Sequence, residues 1–139
     1  MIKRIFRTLL RALARKLALC RLPADLVAGD LCAIQAGEAG FAVLKVLAVD
    51  PEGVHVRLYK QRFRSLPTTP DPAELSLGVF KVDGDTSDAF SIGHLPLTRE
   101  ALAVSWPVRI AHRPVLTGEL DGYEMWIESH GGYFDQPIL

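Results

Sequence analysis

The chain reads as an α+β protein: a small, strongly bent antiparallel β-sheet or open barrel carrying one or two short helices, preceded by an N-terminal amphipathic helix. Three observations predict this. Ile2 to Cys20 repeats its apolar residues at helical spacing. From Gly29 onward short apolar or alternating runs replace that period, as strands require. Asp50-Pro51-Glu52-Gly53 then separates two of these runs with strong turn chemistry. The 139 residues divide into a cationic helix, 1–22, and a single α+β domain, 23–139.

At about 100° per residue, Ile2, Ile5, Phe6, Leu9, Leu10, Leu13 and Leu17 group on one side of the first helix. Lys3, Arg4, Arg7, Arg11 and Arg15 take the other, and Pro23 closes the segment. Asp30 to Gln35 is a short apolar strand. Phe41 to Val49 is nearly continuous, as in a strand covered on both faces. Val54, Val56 and Leu58 alternate with His55, Arg57 and Tyr59, which predicts a half-buried strand with a polar face. Three prolines between Leu66 and Pro72 make an extended connection. A short strand is expected over Leu77 to Val82, a polar loop over Asp83 to Asp88, and renewed apolar character from Phe90 to Leu95. Thr98 is placed to cap a short helix with Glu100 in its first turn. Trp106 to Ile110 reads as a closing strand. Thr117 is expected to cap a helix running to about Ser129, with Leu120, Tyr123 and Ile127 on one face and Gly131-Gly132 ending it.

Net charge conceals an asymmetry. The first 21 residues hold seven basic residues and no acidic one, while the remainder holds 9 Lys+Arg against 16 Asp+Glu, a charge of −7. A hydrophobic content of 49% suffices for a core. Cys20 and Cys32 are too few for a disulfide framework and suit small buried residues of a reducing cytosol. Arg7, Arg11, Arg15 and Lys16 break every run that would make a secretory signal, and no stretch is apolar enough to span a bilayer.

No recognised constellation of catalysis or cofactor binding appears. Asp83-Gly84-Asp85-Thr86-Ser87-Asp88 offers alternating oxygen ligands, but Asp88 stands where a calcium loop needs glycine and His94 where it needs glutamate. His55, His94, His112 and His130 have no metal-ligand spacing. Ser91-Ile92-Gly93-His94 lacks a nucleophile elbow, and no phosphate-binding glycine loop is present. A non-enzymatic protein without metal or cofactor is the expectation.

Two segments remain as contact surfaces. In the first helix Ile2, Phe6, Leu9, Leu13 and Leu17 offer an apolar face for an anionic membrane surface, for a partner, or for the chain's own body. Nucleic acid is not expected, because the body is acidic and has no aromatic–basic stripe. In the C-terminal block Glu119, Asp121 and Glu124 interleave with Tyr123 and Trp126. Together with Asp83 and Asp85 they form an acidic, aromatic-anchored surface suited to a basic protein. The alternative is that Tyr123 and Trp126 are core and the carboxylates are a solvated face.

Gly29-Asp30-Leu31-Cys32-Ala33-Ile34, then Gly40-Phe41-Ala42-Val43-Leu44-Lys45-Val46-Leu47, then Val54-His55-Val56-Arg57-Leu58-Tyr59 resembles the start of the immunity protein 26 family of bacterial toxin-neutralising proteins. The resemblance covers roughly a quarter of the chain. It implies a non-enzymatic protein that binds a cognate toxin and occludes its active site. A basic toxin domain would suit the acidic body, in line with the cytoplasmic location the cysteines suggest. The competing expectation is a scaffold or adaptor held peripherally on the inner membrane by residues 1–21.

Overall fold

The computed structural model describes residues 2–19, 22–78 and 89–139. Its elements run α1 (Ile2–Leu19), β1 (Asp30–Gln35), β2 (Phe41–Val49), β3 (Gly53–Phe63), β4 (Ile92–Thr98), α2 (Arg99–Ala103), β5 (Val108–His112) and α3 (Asp121–Glu128). Single 3₁₀ turns occupy Gly37–Ala39, Pro72–Glu74 and Thr117–Leu120. The five strands form one antiparallel sheet in the order β4-β3-β2-β1-β5, so the sheet is open. Register irregularities interrupt three of its four pairings. Each such bulge adds local bend and twist, which curls the sheet without closing it.

The β1–β2 connection turns on Gly40, whose φ of +89° only glycine adopts without strain. A side chain there would also strike the Phe63 carbonyl, because β3 extends as far as Phe63. That extension follows from pairing rather than propensity: Phe41 and Ala42 face Phe63 and Arg62, so β3 lengthens to match the whole of β2.

Strand alternation sends two different sets of residues to the two faces. Cys32, Ile34, Ala42, Leu44, Val46, Val54, Val56, Leu58 and Leu97 form the main core, covered by Ala101 and Leu102 of α2 and by Leu26. Thr98 caps α2 as expected, its hydroxyl accepting the Ala101 N–H at 3.1 Å. Burying a side chain such as Leu102 stabilises the fold by about 1.5–3 kcal/mol. The opposite face carries a small apolar cluster of Leu31, Val43 and Tyr59 and, on β2, β3 and β4, the polar residues Lys45, Arg57, His55 and His94. The C-terminal segment lies over that polar face. Its Phe134 also runs beside β4, donating to the Pro96 carbonyl and accepting the Thr98 N–H, both at 3.0 Å.

Several expectations shift in position. The closing strand is Val108–His112, two residues later than read. Thr117 is not a cap: the chain enters a 3₁₀ turn at that point, and the Glu119 carboxylate accepts the Leu116 N–H at 2.8 Å. In α3 the inward face is Gly122, Tyr123 and Trp126, and Ile127 is exposed. Leu77 and Gly78 are not in a strand; the rest of that expected strand and the Asp83–Asp88 loop lie outside the described residues. So do Cys20 and the side chain of Leu17.

α1 runs alongside α2. Its side chains at Ile2, Ile5, Phe6, Leu9, Leu10 and Leu13 are nonetheless exposed, Ile2 to 84%. No helix among the described residues is long and apolar enough to cross a membrane.

Candidate functional site

The polar sheet face is organised around His55, which is fully buried. The Asp50-Pro51-Glu52-Gly53 turn brings Asp50 back towards the strand it precedes. Asp50 Oδ1 accepts the N–H groups of Glu52 and Gly53, which fixes its carboxylate. Its other oxygen, Oδ2, lies 2.9 Å from His55 Nε2 and also receives the Tyr133 hydroxyl. A carboxylate only accepts, so His55 donates from Nε2. His55 Nδ1 in turn lies 2.9 Å from His94 Nε2 on β4, a hydrogen bond between the two rings. The result is a hydrogen-bonded chain joining His94, His55 and Asp50, with Tyr133 joining at the carboxylate.

Three aromatic rings close over this chain. Tyr123 and Trp126 meet the His55 ring edge-on at 4.6 and 4.5 Å between centroids, and Tyr133 lies 5.4 Å from it. The Trp126 indole N–H donates to the Gly132 carbonyl at 2.9 Å, so its polar end is satisfied while its ring is packed. Gly122 lets α3 approach closely, since a Cβ at that position would stand 2.6 Å from the His94 Cβ.

Electrostatics follow the geometry. Burial, with the neighbouring His55 adding to it, lowers His94 to about 4, so this ring is neutral near pH 7. Burial pushes the Tyr133 hydroxyl upward and Asp50 reinforces the shift, keeping Tyr133 a donor. Burial also disfavours the Asp50 carboxylate, but the hydrogen bonds from Tyr133, His55, Gly53 and Glu52 prevail and hold it below the usual range. Chemically, the array is a clamp: His55 uses both ring nitrogens on Asp50 and His94, Tyr133 donates to Asp50, and the rings packed over them tie α3 and Tyr133 to the sheet.

A second polar group lies next to it. Lys45 Nζ, 5% exposed as a residue, reaches Glu119 Oε1 at 2.8 Å and the Pro114 carbonyl at 3.0 Å. Arg57 donates from Nε to the Gly93 carbonyl and stands 3.9 Å from Glu119 Oε2. A third group marks the start of β1. Gly29, at φ +98°, turns the chain into the strand, and buried Asp30 accepts from the Val27 N–H and from Arg109 and contacts His112 Nδ1, each at 3.0 Å. Cys32 is buried on this strand, and burial pushes its thiol up to about 12; such a thiol stays protonated.

The acidic and aromatic residues singled out from sequence divide between two faces. Glu119, Tyr123 and Trp126 turn towards the sheet and are engaged there. Asp121 and Glu124 are exposed, together with Glu128 and Met125, on the outward face of α3, and none of these three carboxylates makes an ion pair with a described residue. Asp83 and Asp85 lie outside the described residues. Asp50, His55, His94, Tyr133, Lys45 and Arg57 were not recognised from sequence as a group. The available signals were a lone lysine inside an apolar run and a histidine on the polar side of a strand; each needs a partner once the face is covered.

Comparison with protein-family models, with characterised proteins and with solved structures finds no match.

Proposed function

We propose that this chain is a non-enzymatic binding protein of the immunity type, which neutralises a basic toxin domain by covering it with the outward face of α3. One observation carries the reading. Asp121, Glu124 and Glu128 pair with no described residue and surround Met125, which is 70% exposed, while Glu119, Tyr123 and Trp126 hold the same helix rigidly from behind. An apolar centre with charges about it suits capture of a complementary surface, and a helix already fixed loses little freedom on binding. The strand pattern resembling the immunity protein 26 family and the acidic body point the same way. The reading places the protein in the cytoplasm.

The test is a pull-down from cell lysate with the full chain and with an Asp121→Lys/Glu124→Lys variant, followed by association kinetics on the retained protein. Expected is a stoichiometric basic partner whose association slows about tenfold or more in the variant and at raised salt. Unchanged association in a folded double variant rejects the acidic-face reading.

A second reading rests on a different observation, the uncovered apolar face of α1 with its all-basic flank. Lying in an anionic bilayer surface would bury Phe6 and Leu9 and leave Arg4 and Arg7 at the head groups. A second α1 is a poor occupant, because it would bring like charge against like. The full chain should sediment with anionic vesicles, ignore neutral ones, and lose binding on Phe6→Glu/Leu9→Glu; absence of sedimentation with anionic vesicles rejects this reading.

A further inference from the structure

On the polar sheet face, beside the histidine clamp, lies a cavity of about 580 Å³. That size falls within the range of small-molecule sites. Its floor is Lys45, Arg57 and Tyr59 from β2 and β3. Its walls come from two connections: Pro72, Leu75 and Leu77 after β3, and Pro114 and Leu116 after β5, with Arg113 also lining it.

The charges in this cavity do not cancel. Lys45 and Glu119 neutralise each other at 2.8 Å. Among the described residues the nearest carboxylate oxygen to Arg57 is Glu119 Oε2 at 3.9 Å. Its hydrogen bonds go to the Gly93 and Glu119 carbonyls, and Arg113 donates to the Pro70 carbonyl; these carbonyls are neutral acceptors. Two guanidiniums therefore share a partly desolvated space in which Glu119, the one carboxylate among its described lining residues, is already engaged. The Tyr59 hydroxyl makes no hydrogen bond to another described residue, and burial raises its pKa, so it remains a donor. Guanidiniums match carboxylate and phosphate geometry, and desolvation strengthens the attraction. The remaining lining is aliphatic.

We propose that this cavity binds a small amphiphilic organic anion: a carboxylate or phosphate held by Arg57, Arg113 and Tyr59, with its apolar body against Leu75, Leu77 and Leu116. Recognition needs both halves. An inorganic anion lacks the part that the walls cover, and an alcohol lacks the charge that the guanidiniums attract.

The experiment titrates the full-length chain with octanoate, octyl phosphate, octanol and octylammonium, following backbone amide shifts by NMR. Expected is saturable 1:1 binding of octanoate or octyl phosphate, with the shifts centred on residues 57–59, 75–77 and 113–116. The stronger of the two identifies the preferred anion. Octanol should bind at least tenfold more weakly and octylammonium not at all. Arg113→Gln should weaken the preferred anion about tenfold and Tyr59→Phe about threefold. Ser76→Glu, at an exposed lining position, should abolish binding without touching the floor, and serves if Arg113→Gln fails to fold. Shifts confined to α1, equal affinity for octanol, indifference to Ser76→Glu, or no binding of either anion would overturn the proposal.

Discussion

Replacing Glu119 by alanine should be among the most damaging single changes available outside the main core. The side chains of Lys45 and Glu119 are 6% and 12% exposed, so both charges are largely withdrawn from bulk water. In the variant the Lys45 ammonium keeps only the Pro114 carbonyl, and the Leu116 N–H loses its acceptor. Stranding one member of a buried pair costs about 3–5 kcal/mol. That is a large part of the roughly 5–15 kcal/mol by which a domain of this kind is stable. Lys45→Met should be milder, because Glu119 retains the Leu116 N–H and Arg57. The double variant Lys45→Met/Glu119→Ala should be less damaging than the sum of its two single changes, since it leaves no buried charge without its partner. Urea denaturation of the four proteins at pH 7 gives the coupling directly, expected at about 2–3 kcal/mol. The pair also sets an acid limit. Burial disfavours the Glu119 carboxylate, but Lys45, the Leu116 N–H and Arg57 together hold it below 4.5. Its folded pKa is thus depressed, so its contribution is full above pH 4.5 and declines as pH falls below that value. Additive single effects, or a Glu119→Ala variant within about 1 kcal/mol of the parent, would refute the reasoning.

Two further predictions concern the histidine clamp. His94 is lowered from 6.5 to about 4, so the unfolded chain binds a proton that the folded chain refuses between those values; stability should fall by up to about 3 kcal/mol as pH drops from 6.5 towards 4. His94→Gln should flatten that slope, and an imidazole titrating near 6.5 in the folded protein by NMR would contradict the assignment. Gly122→Ala should destabilise by about 1–3 kcal/mol despite alanine's better helix propensity, because its Cβ meets the His94 Cβ. Gly118→Ala, with nothing within 4 Å, is the control and should be neutral or stabilising in the same thermal melts.

The sequence disclosed most where local chemistry decides the outcome. The Asp50-Pro51-Glu52-Gly53 turn, the Thr98 cap and the β1 and β2 strands depend on neighbours in the chain, and all are present. Long-range pairing decided the rest. Nothing near Lys60-Gln61-Arg62-Phe63 signals a strand, yet β2 holds it as one. In α3 the residues Tyr123, Met125, Trp126 and Ile127 are all apolar or aromatic, so periodicity alone does not choose the inward face. The space over His55 chooses Tyr123 and Trp126. The clamp itself joins Asp50, His55, His94 and Tyr133 from distant parts of the chain, and no local spacing reports such a meeting.

The position of Phe134 beside β4 also determines whether copies of this sheet can join. An open sheet presents two rows of unpaired backbone groups on which another chain can polymerise. On β4 the outward groups of Pro96 and Thr98 are taken by Phe134, and proline has no N–H to offer in any case. Strand addition is thereby hindered at that end of β4. The opposite edge is the five-residue β5, bent by the bulge in its pairing with β1 and carrying Arg109 bound to Asp25 and Asp30. A short, twisted, charged margin is a poor template for stacking. Along the described parts of both edges, the sheet thus leaves few backbone groups on which another copy could pair.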